Sequence, residues 1–313
     1  MNECTIIMYH YVRELGYTRY PKIKARQISE FKNQIKYLED NYEFVTVEEI
    51  IDSIYDNEDL PEDAVLLTFD DGYKDHYENV FPILEEKGIQ GVFFPPAKAV
   101  LDDEVLDVNK IHHIIALNEE RDGIDGLLSK VYDLLDEYRK EYGLKSNDEY
   151  HSELAVEGRF DSEDIIFIKR LLQRGLQDEV RKKILDDLFE EYIDVEERVL
   201  SNELYMDIDQ LRCMRRNGMH IGSHGYDHYW LDSISKEKLE DEMDRSIEFL
   251  KMVGTPKERW TFCYPYGAYD DQIKQFLNKK GFRLGFTTQP EIADLDMRDV
   301  MEVPRLDTND IKY

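Results

Sequence analysis

Residues 64–73 read AVLLTFDDGY. An apolar run with the length of a buried strand stops abruptly at two adjacent carboxylates and a glycine. Side chains alternate along a strand, so Asp70 and Asp71 cannot both face one site unless the chain turns between them. Gly72 supplies the freedom for that turn. Neighbouring carboxylates repel, and the repulsion is relieved by a cation or by a proton on one of them. A solvated Asp-Asp-Gly surface turn would explain these residues equally well if nothing else in the chain answered to them.

Residues 219–230, MHIGSHGYDHYW, supply that answer. Another short apolar segment ends in polar groups, with His224 and His228 four apart. On a helical turn that spacing brings two imidazoles to one side, within reach of a single ion. With Asp71 they make two neutral nitrogens and one anionic oxygen, a set that holds a divalent metal and leaves positions open for water. Zinc suits it best, with cobalt, nickel or iron next.

These segments resemble the polysaccharide deacetylases with a NodB-type domain. Their Thr-Phe-Asp-Asp-Gly motif is matched by residues 68–72, and their His-Ser/Thr-x-x-His motif by residues 224–228, with Gly225 in place of the hydroxyl residue. A third motif, Arg-x-Pro-Tyr, falls on Cys263, Tyr264, Pro265 and Tyr266, so its arginine is missing. The resemblance covers residues 4–96 and 205–306 in order and leaves out the middle. It implies a distorted (β/α) barrel, commonly of seven strands, and metal-dependent deacetylation. It also assigns roles: metal to Asp71, His224 and His228, the catalytic base to Asp70, and oxyanion binding to the backbone N–H of Tyr266. A branch of the family carries Tyr-His on the first strand, matched by Tyr9 and His10, and its histidine acts as general acid. The family arginine orients the catalytic aspartate; here Arg305, after the last strand, is the candidate to replace it.

Composition fits a soluble enzyme. The 313 residues, 42% of them hydrophobic, are enough for one large α/β barrel with an insertion. Acidic residues exceed basic ones by 69 minus 40, or 29, which disfavours nucleic acid and anionic membrane surfaces as partners. The three cysteines, Cys4, Cys213 and Cys263, form no disulfide or metal-binding pattern and suggest a reducing compartment. No signal peptide or transmembrane stretch is visible, so a cytoplasmic protein is expected.

Around residues 64–73 runs a cadence of helix, glycine and short apolar strand, the signature of a parallel sheet wrapped by helices. Strands are expected at 4–8, 44–46, 64–69, 90–94, 219–223, 261–264, 283–286 and 302–305, with helices at 27–41, 47–54, 74–87, 208–217, 237–253 and 271–280. Seven or eight strands result, and the functional groups belong at their carboxyl ends. Residues 1–96 and 203–313 then form the barrel. Residues 97–202 form an acidic helical insertion packed on it, with helices at 109–117, 124–142, 164–172 and 177–192. Within the insertion, Asn109, Lys110, His112 and His113 form one polar cluster that could line a pocket. The loop 13–24, with Arg13, Tyr17, Arg19, Tyr20, Pro21, Lys22 and Lys24, could touch an anionic group or cover the barrel mouth. Trp230, Tyr264, Tyr266 and Tyr269 could offer faces to a sugar ring.

The expected function is metal-dependent hydrolysis of the acetyl or formyl amide of an N-acylated sugar, a nucleotide-sugar or a lipid-linked sugar, by a chain that could self-associate. Polymeric glycan is less expected in a cytoplasmic protein. The alternatives are an O-deacetylase, a carbohydrate-binding protein without catalysis, and a non-haem iron oxygenase. The last usually sets its carboxylate two residues after the first histidine, and His224 has Tyr226 there instead.

Overall fold

The computed structural model describes residues 2–121, 123–296 and 299–312. Their strands are β1 Glu3–Tyr9, β2 Glu43–Phe44, β3 Ala64–Asp70, β4 Gly91–Phe94, β5 His220–Ile221, β6 Thr261–Cys263, β7 Leu284–Phe286, β8 Ala293–Asp294 and β9 Leu306–Asp307. The helices are α1 Ile28–Asn41, α2 Val47–Asp56, α3 Phe81–Lys87, α4 Ala97–Leu101, α5 Asp107–Glu120, α6 Gly123–Tyr142 and α7 Asn147–Leu154. They continue as α8 Glu163–Arg170, α9 Asp178–Tyr192, α10 Glu197–Leu204, α11 Ile208–Arg216, α12 Lys236–Val253 and α13 Asp271–Lys280. Two compact units emerge: residues 2–14, 25–104 and 201–312 make one, and residues 15–24 and 105–200 the other.

The first unit is α/β. β1, β3, β4 and β5 pair in parallel in that order. A parallel bridge from Ser223 to Phe262 continues to β6, β6 pairs with β7, and a bridge from Phe286 to Val303 leads to the last segment. β9 then pairs in parallel with β1, so the pairings return to their start through seven positions. β2 lies off this circuit against the first residues of β3, so the expected strand at 44–46 is a flank. The segment expected as a strand at 302–305 contributes only its bridge at Val303, and its ladder begins at Leu306.

Buried on both faces, β1 and β3 feed two cores by strict alternation. Ile6 and Leu66 join Val92, Phe94 and Phe286 in one cluster. Ile7, Leu67 and Phe69 join Phe31, Ile35 and Leu38 of α1 in the other. Continuing the first set along β3 puts Thr68 and Asp70 on the same face as Leu66, and along the last segment Arg305 follows Val303.

The helix expected at 74–87 is present but is π-helical over His76–Val80 before α3. Residues 224–228 contain no helical turn: Gly225 and His228 both take left-handed φ, at 77° and 55°. The two histidines are therefore gathered by a bent loop. The second unit is helical. In α6, Leu127, Val131, Leu134 and Leu135 form one buried stripe at helical spacing, and α5 packs against both α6 and α9.

Gly222, between β5 and the histidine loop, has a packing reason to lack a side chain. A Cβ there would stand 2.4 Å from a Phe94 ring carbon and 2.5 Å from the Thr261 hydroxyl. Gly222→Ala is expected to destabilise the chain by about 1–3 kcal/mol through overpacking. A fall in urea midpoint at constant slope would show it, and a variant as stable as the parent would contradict this close approach.

Candidate active site

Asp70, the last residue of β3, is 2% exposed and meets the guanidinium of Arg305 in a bidentate pair, Nη1 to Oδ1 and Nη2 to Oδ2 at 2.8 Å each. Arg305 also donates from Nε to the Thr287 carbonyl at 2.9 Å, from Nη1 to the Thr68 hydroxyl at 3.0 Å and from Nη2 to Cys263 Sγ at 3.0 Å. The structure thus places Arg305 beside Cys263, with its guanidinium on the aspartate. Burial alone would raise the Asp70 pKa, but the charge and hydrogen bonds of Arg305 win and hold it at about 2.

Asp71 leaves the strand in the left-handed region, φ 72°, followed by Gly72 at 69°. Both residues make the turn, and the Asp71 carboxylate swings away from that of Asp70. Its Oδ2 accepts from the Tyr73 hydroxyl at 2.6 Å. Oδ1 faces His228 Nε2 at 3.3 Å and His224 Nε2 at 3.5 Å. Burial opposes ionisation of Asp71, yet contacts with the two imidazoles drive its pKa well below the ordinary carboxylate value. The donor atoms of Asp71, His224 and His228 lie within 4.8 Å of one another. Asp71 Oδ1 is buried without a hydrogen-bond partner. An anionic oxygen left in that state between two imidazole nitrogens fits a divalent cation. His224 is aimed by its other nitrogen, Nδ1, which donates to the Cys263 carbonyl at 2.8 Å, as metal-ligating histidines commonly do.

The matches to known proteins follow this geometry. The polysaccharide deacetylase family model matches residues 57–116 and 179–285, more than half of the chain. The chain belongs to the polysaccharide deacetylase family. A Bacillus subtilis protein named as a polysaccharide deacetylase, YxkH, is 33% identical over 292 residues, covering 93% of this chain and 66% of its own length. The poly-beta-1,6-N-acetyl-D-glucosamine N-deacetylase of Escherichia coli is 43% identical over 58 residues, 18% of this chain and 9% of that protein. The fold is shared with the Streptococcus pyogenes deacetylase PplD, at TM-score 0.57 and 17% identity over 97% of this chain and 92% of that one. IcaB from Ammonifex degensii gives a TM-score of 0.56 and 20% identity over 98% and 91%. The chain spans just under two thirds of the length of the Bacillus subtilis relative and about a tenth of that of the Escherichia coli one.

The site has supports that the sequence left unnoticed. His10 follows β1 and is half-buried, and its carbonyl accepts from His76 Nε2 at 2.8 Å. Burial lowers the His76 pKa to about 4, which keeps that ring neutral. Tyr73 is stacked on Tyr11 with ring centres 3.8 Å apart. Tyr266 adopts φ 58°, and its ring lies parallel to Trp230 at 4.6 Å and edge-on to His228 at 4.6 Å. These two aromatic residues form a wall beside the histidine loop. Tyr264 is not part of it: it is fully buried and donates its hydroxyl to the Met301 carbonyl at 3.0 Å. Tyr269 stacks behind Tyr264.

Other expected contacts are consumed locally. Arg13 pairs with Asp75 at 2.7 Å and covers the Tyr11 ring. In the helical unit, Lys24 binds Asp161 and the Phe160 carbonyl. Lys110 pairs with Asp186 and Glu197 at 3.1 and 3.0 Å. Asn109 and His113 are buried, and His113 Nδ1 donates to the Asn109 backbone carbonyl at 2.7 Å.

Removing the Arg305 guanidinium leaves Asp70 buried without its counterion. Arg305→Ala is expected to cost about 3–5 kcal/mol of stability, with Asp70→Asn in the same chain recovering part of the loss. Urea denaturation of the parent, both single variants and the double variant measures the coupling, and strictly additive costs would deny it.

Proposed function

We propose that this chain is a metal-dependent N-deacetylase acting on N-acetylated amino sugars within a glycan. The supporting observation is a divided pair of carboxylates: Asp71 Oδ1 is unpartnered between two imidazoles, while adjacent Asp70 is held apart by Arg305. The amide reading draws on the Escherichia coli relative, named for N-deacetylation of poly-beta-1,6-N-acetyl-D-glucosamine, and on a Saccharomyces cerevisiae relative named chitin deacetylase 2. Both names point to polymers, which moves the proposed substrate from the small cytosolic sugars expected earlier to a glycan chain.

Asp71, His224 and His228 would hold the divalent ion, zinc by preference of the donor set, which when bound supplies Lewis acidity to water and acyl oxygen. The chain's own residues supply the rest. Amide hydrolysis needs a proton removed from the attacking water and another given to the departing nitrogen. Asp70 is the acceptor. Arg305 takes one lone pair on each of its oxygens and the Cys263 thiol approaches Oδ2 at 3.5 Å, fixing its orientation at some loss of basicity and leaving a lone pair on Oδ1 available. As the water oxygen bonds to the acyl carbon, the carbon–nitrogen bond breaks, and His10 protonates the nitrogen that leaves as amine. The backbone N–H of Tyr266 is the proposed donor to the developing oxyanion. Trp230 and Tyr266 form the wall proposed for a sugar ring.

Purified protein is expected to release acetate and expose primary amines on β-1,6-linked N-acetylglucosamine oligomers or chitooligosaccharides. Chelator should abolish this and zinc or cobalt restore it. Asp70→Asn is expected to lower turnover by about 10²–10⁴-fold with the parent's zinc content. Release of acetate without new amine would indicate an O-deacetylase, sugar binding without release a non-catalytic protein, and turnover confined to acetylated nucleotide-sugars a small-molecule enzyme. Each of these results would defeat the reading.

A further inference from the structure

The loop 224–228 departs from the family pattern at its second position, where Gly225 carries no hydroxyl. Its backbone is also demanding, since it contains left-handed Gly225 and left-handed His228. A non-glycine residue in that region is held there by its surroundings. On one side, the amides of Ala97 and Lys98 donate to the carbonyls of Gly225 and Tyr226 at 3.1 and 2.9 Å. On the other, two consecutive loop amides, those of Tyr226 and Asp227, converge on a single oxygen. Oε2 of Glu242, from α12, accepts both at 2.9 and 3.0 Å.

Glu242 is 3% exposed. Burying a carboxylate on these terms is costly. Its pKa is pushed up to about 7, mainly by burial and further by Asp227, while the two amides and Lys238 act in the opposite direction. A Cβ on Gly225 would stand 3.4 Å from Oε2, which puts the carboxylate directly against the loop.

The two histidines differ in how they are aimed. His224 has its Nδ1 anchor on the Cys263 carbonyl, whereas His228 Nδ1 is buried without a hydrogen-bond partner. The direction of His228 Nε2 is therefore set by its backbone, by edge contacts with the rings of Tyr266 and His224, and by Asp71 Oδ1, which it faces. The backbone of residues 226–227 leads directly into that residue, so what holds it bears on where the ring can point.

We propose that Glu242 is a positioning residue for the metal centre: its carboxylate clamps the loop amides of Tyr226 and Asp227 and thereby aims His228. The proposal rests on the reading of Asp71, His224 and His228 as metal ligands. Glu242 touches neither the ion nor the substrate, so its effect appears in metal affinity rather than in a direct chemical step.

Zinc affinity, measured by competition with a chromophoric chelator on the full chain, tests this without recourse to turnover. Outer-shell partners commonly account for about 10–100-fold in metal affinity. Glu242→Ala is expected to weaken zinc binding by about tenfold or more, as is Glu242→Asp, whose shortened side chain cannot reach both amides. Glu242→Gln keeps a carbonyl oxygen able to accept both bonds and is expected to stay within about threefold of the parent. Glu242→Asp carries the test if the alanine variant does not fold. A folded Glu242→Ala or Glu242→Asp chain that binds zinc as tightly as the parent, even with a lowered melting temperature, would overturn the clamp while leaving the metal site standing. A parent chain that binds no zinc would bring down the metal-dependent reading itself, and the clamp with it.

Discussion

A guanidinium has five N–H donors, and those of the buried Arg305 meet five acceptors: the Thr287 carbonyl, the Thr68 hydroxyl, both oxygens of Asp70 and Cys263 Sγ. The rest of the site is arranged around this complete set. It ties the segment after β7 to β3 and β6, on the inner face where the strand circuit closes. Replacing such a buried pair with well-packed apolar groups is often no worse for stability, so its presence is better explained by placement than by binding energy. The guanidinium dictates where the Asp70 carboxylate points and keeps it charged. The thiol side chain of Cys263, where the family motif has its arginine, leaves room for a guanidinium arriving from another strand.

With Asp70 fixed, two neighbouring carboxylates acquire different electrostatic lives. Asp70 continues the alternation of β3 and looks inward at a permanent cation. Asp71 departs from that alternation through a left-handed turn and looks at two imidazoles and a phenol. The Tyr73 hydroxyl occupies Oδ2 and leaves Oδ1 as the oxygen facing the histidines, which suits one-oxygen ligation. Tyr73 is held by stacking on Tyr11, whose far neighbour Arg13 is neutralised by Asp75. Paired titratable groups pushed into unlike environments are how one site obtains separate roles from like residues.

Much of this was legible in sequence because it follows from short periods. Two-residue alternation located Asp70 at a strand end, and helical stripes ending in glycine located the flanking helices. Arg305 could be named as a replacement for the missing arginine because it follows the last expected strand. Loops obey no period, and there the reading failed: His224 and His228 suggested a helical turn, where positive φ at residues 225 and 228 makes a bend. Tyr264 read as a sugar platform because an aromatic at a strand end looks the same whether it faces solvent or core. The ion pairs of Lys110 gave no local signal, because its partners, Asp186 and Glu197, lie more than seventy residues away. Glu242 gave no signal at all, being one acid among 69 acidic residues. The helix at 147–154 was missed although Ser146 and Glu149 form a readable capping box.

The histidine loop joins two functions that the sequence treats separately. His228 faces Asp71, and two residues later Trp230 stacks on Tyr266, whose edge returns to the His228 ring. The proposed ion ligand and the aromatic wall are thus parts of one contact chain: Asp71, His228, Tyr266, Trp230. Tyr266 is itself held in a left-handed conformation just past β6, a strained geometry of the kind that persists where surroundings over-determine it. A shift of the loop large enough to re-aim His228 would also slide the wall. In a hydrolase this arrangement has a use: a sugar ring resting on Trp230 and Tyr266 would take its position from the same backbone that positions the ion. The reacting amide and the ligand set would then share one reference frame, and near-attack geometry would need no separate adjustment of the two.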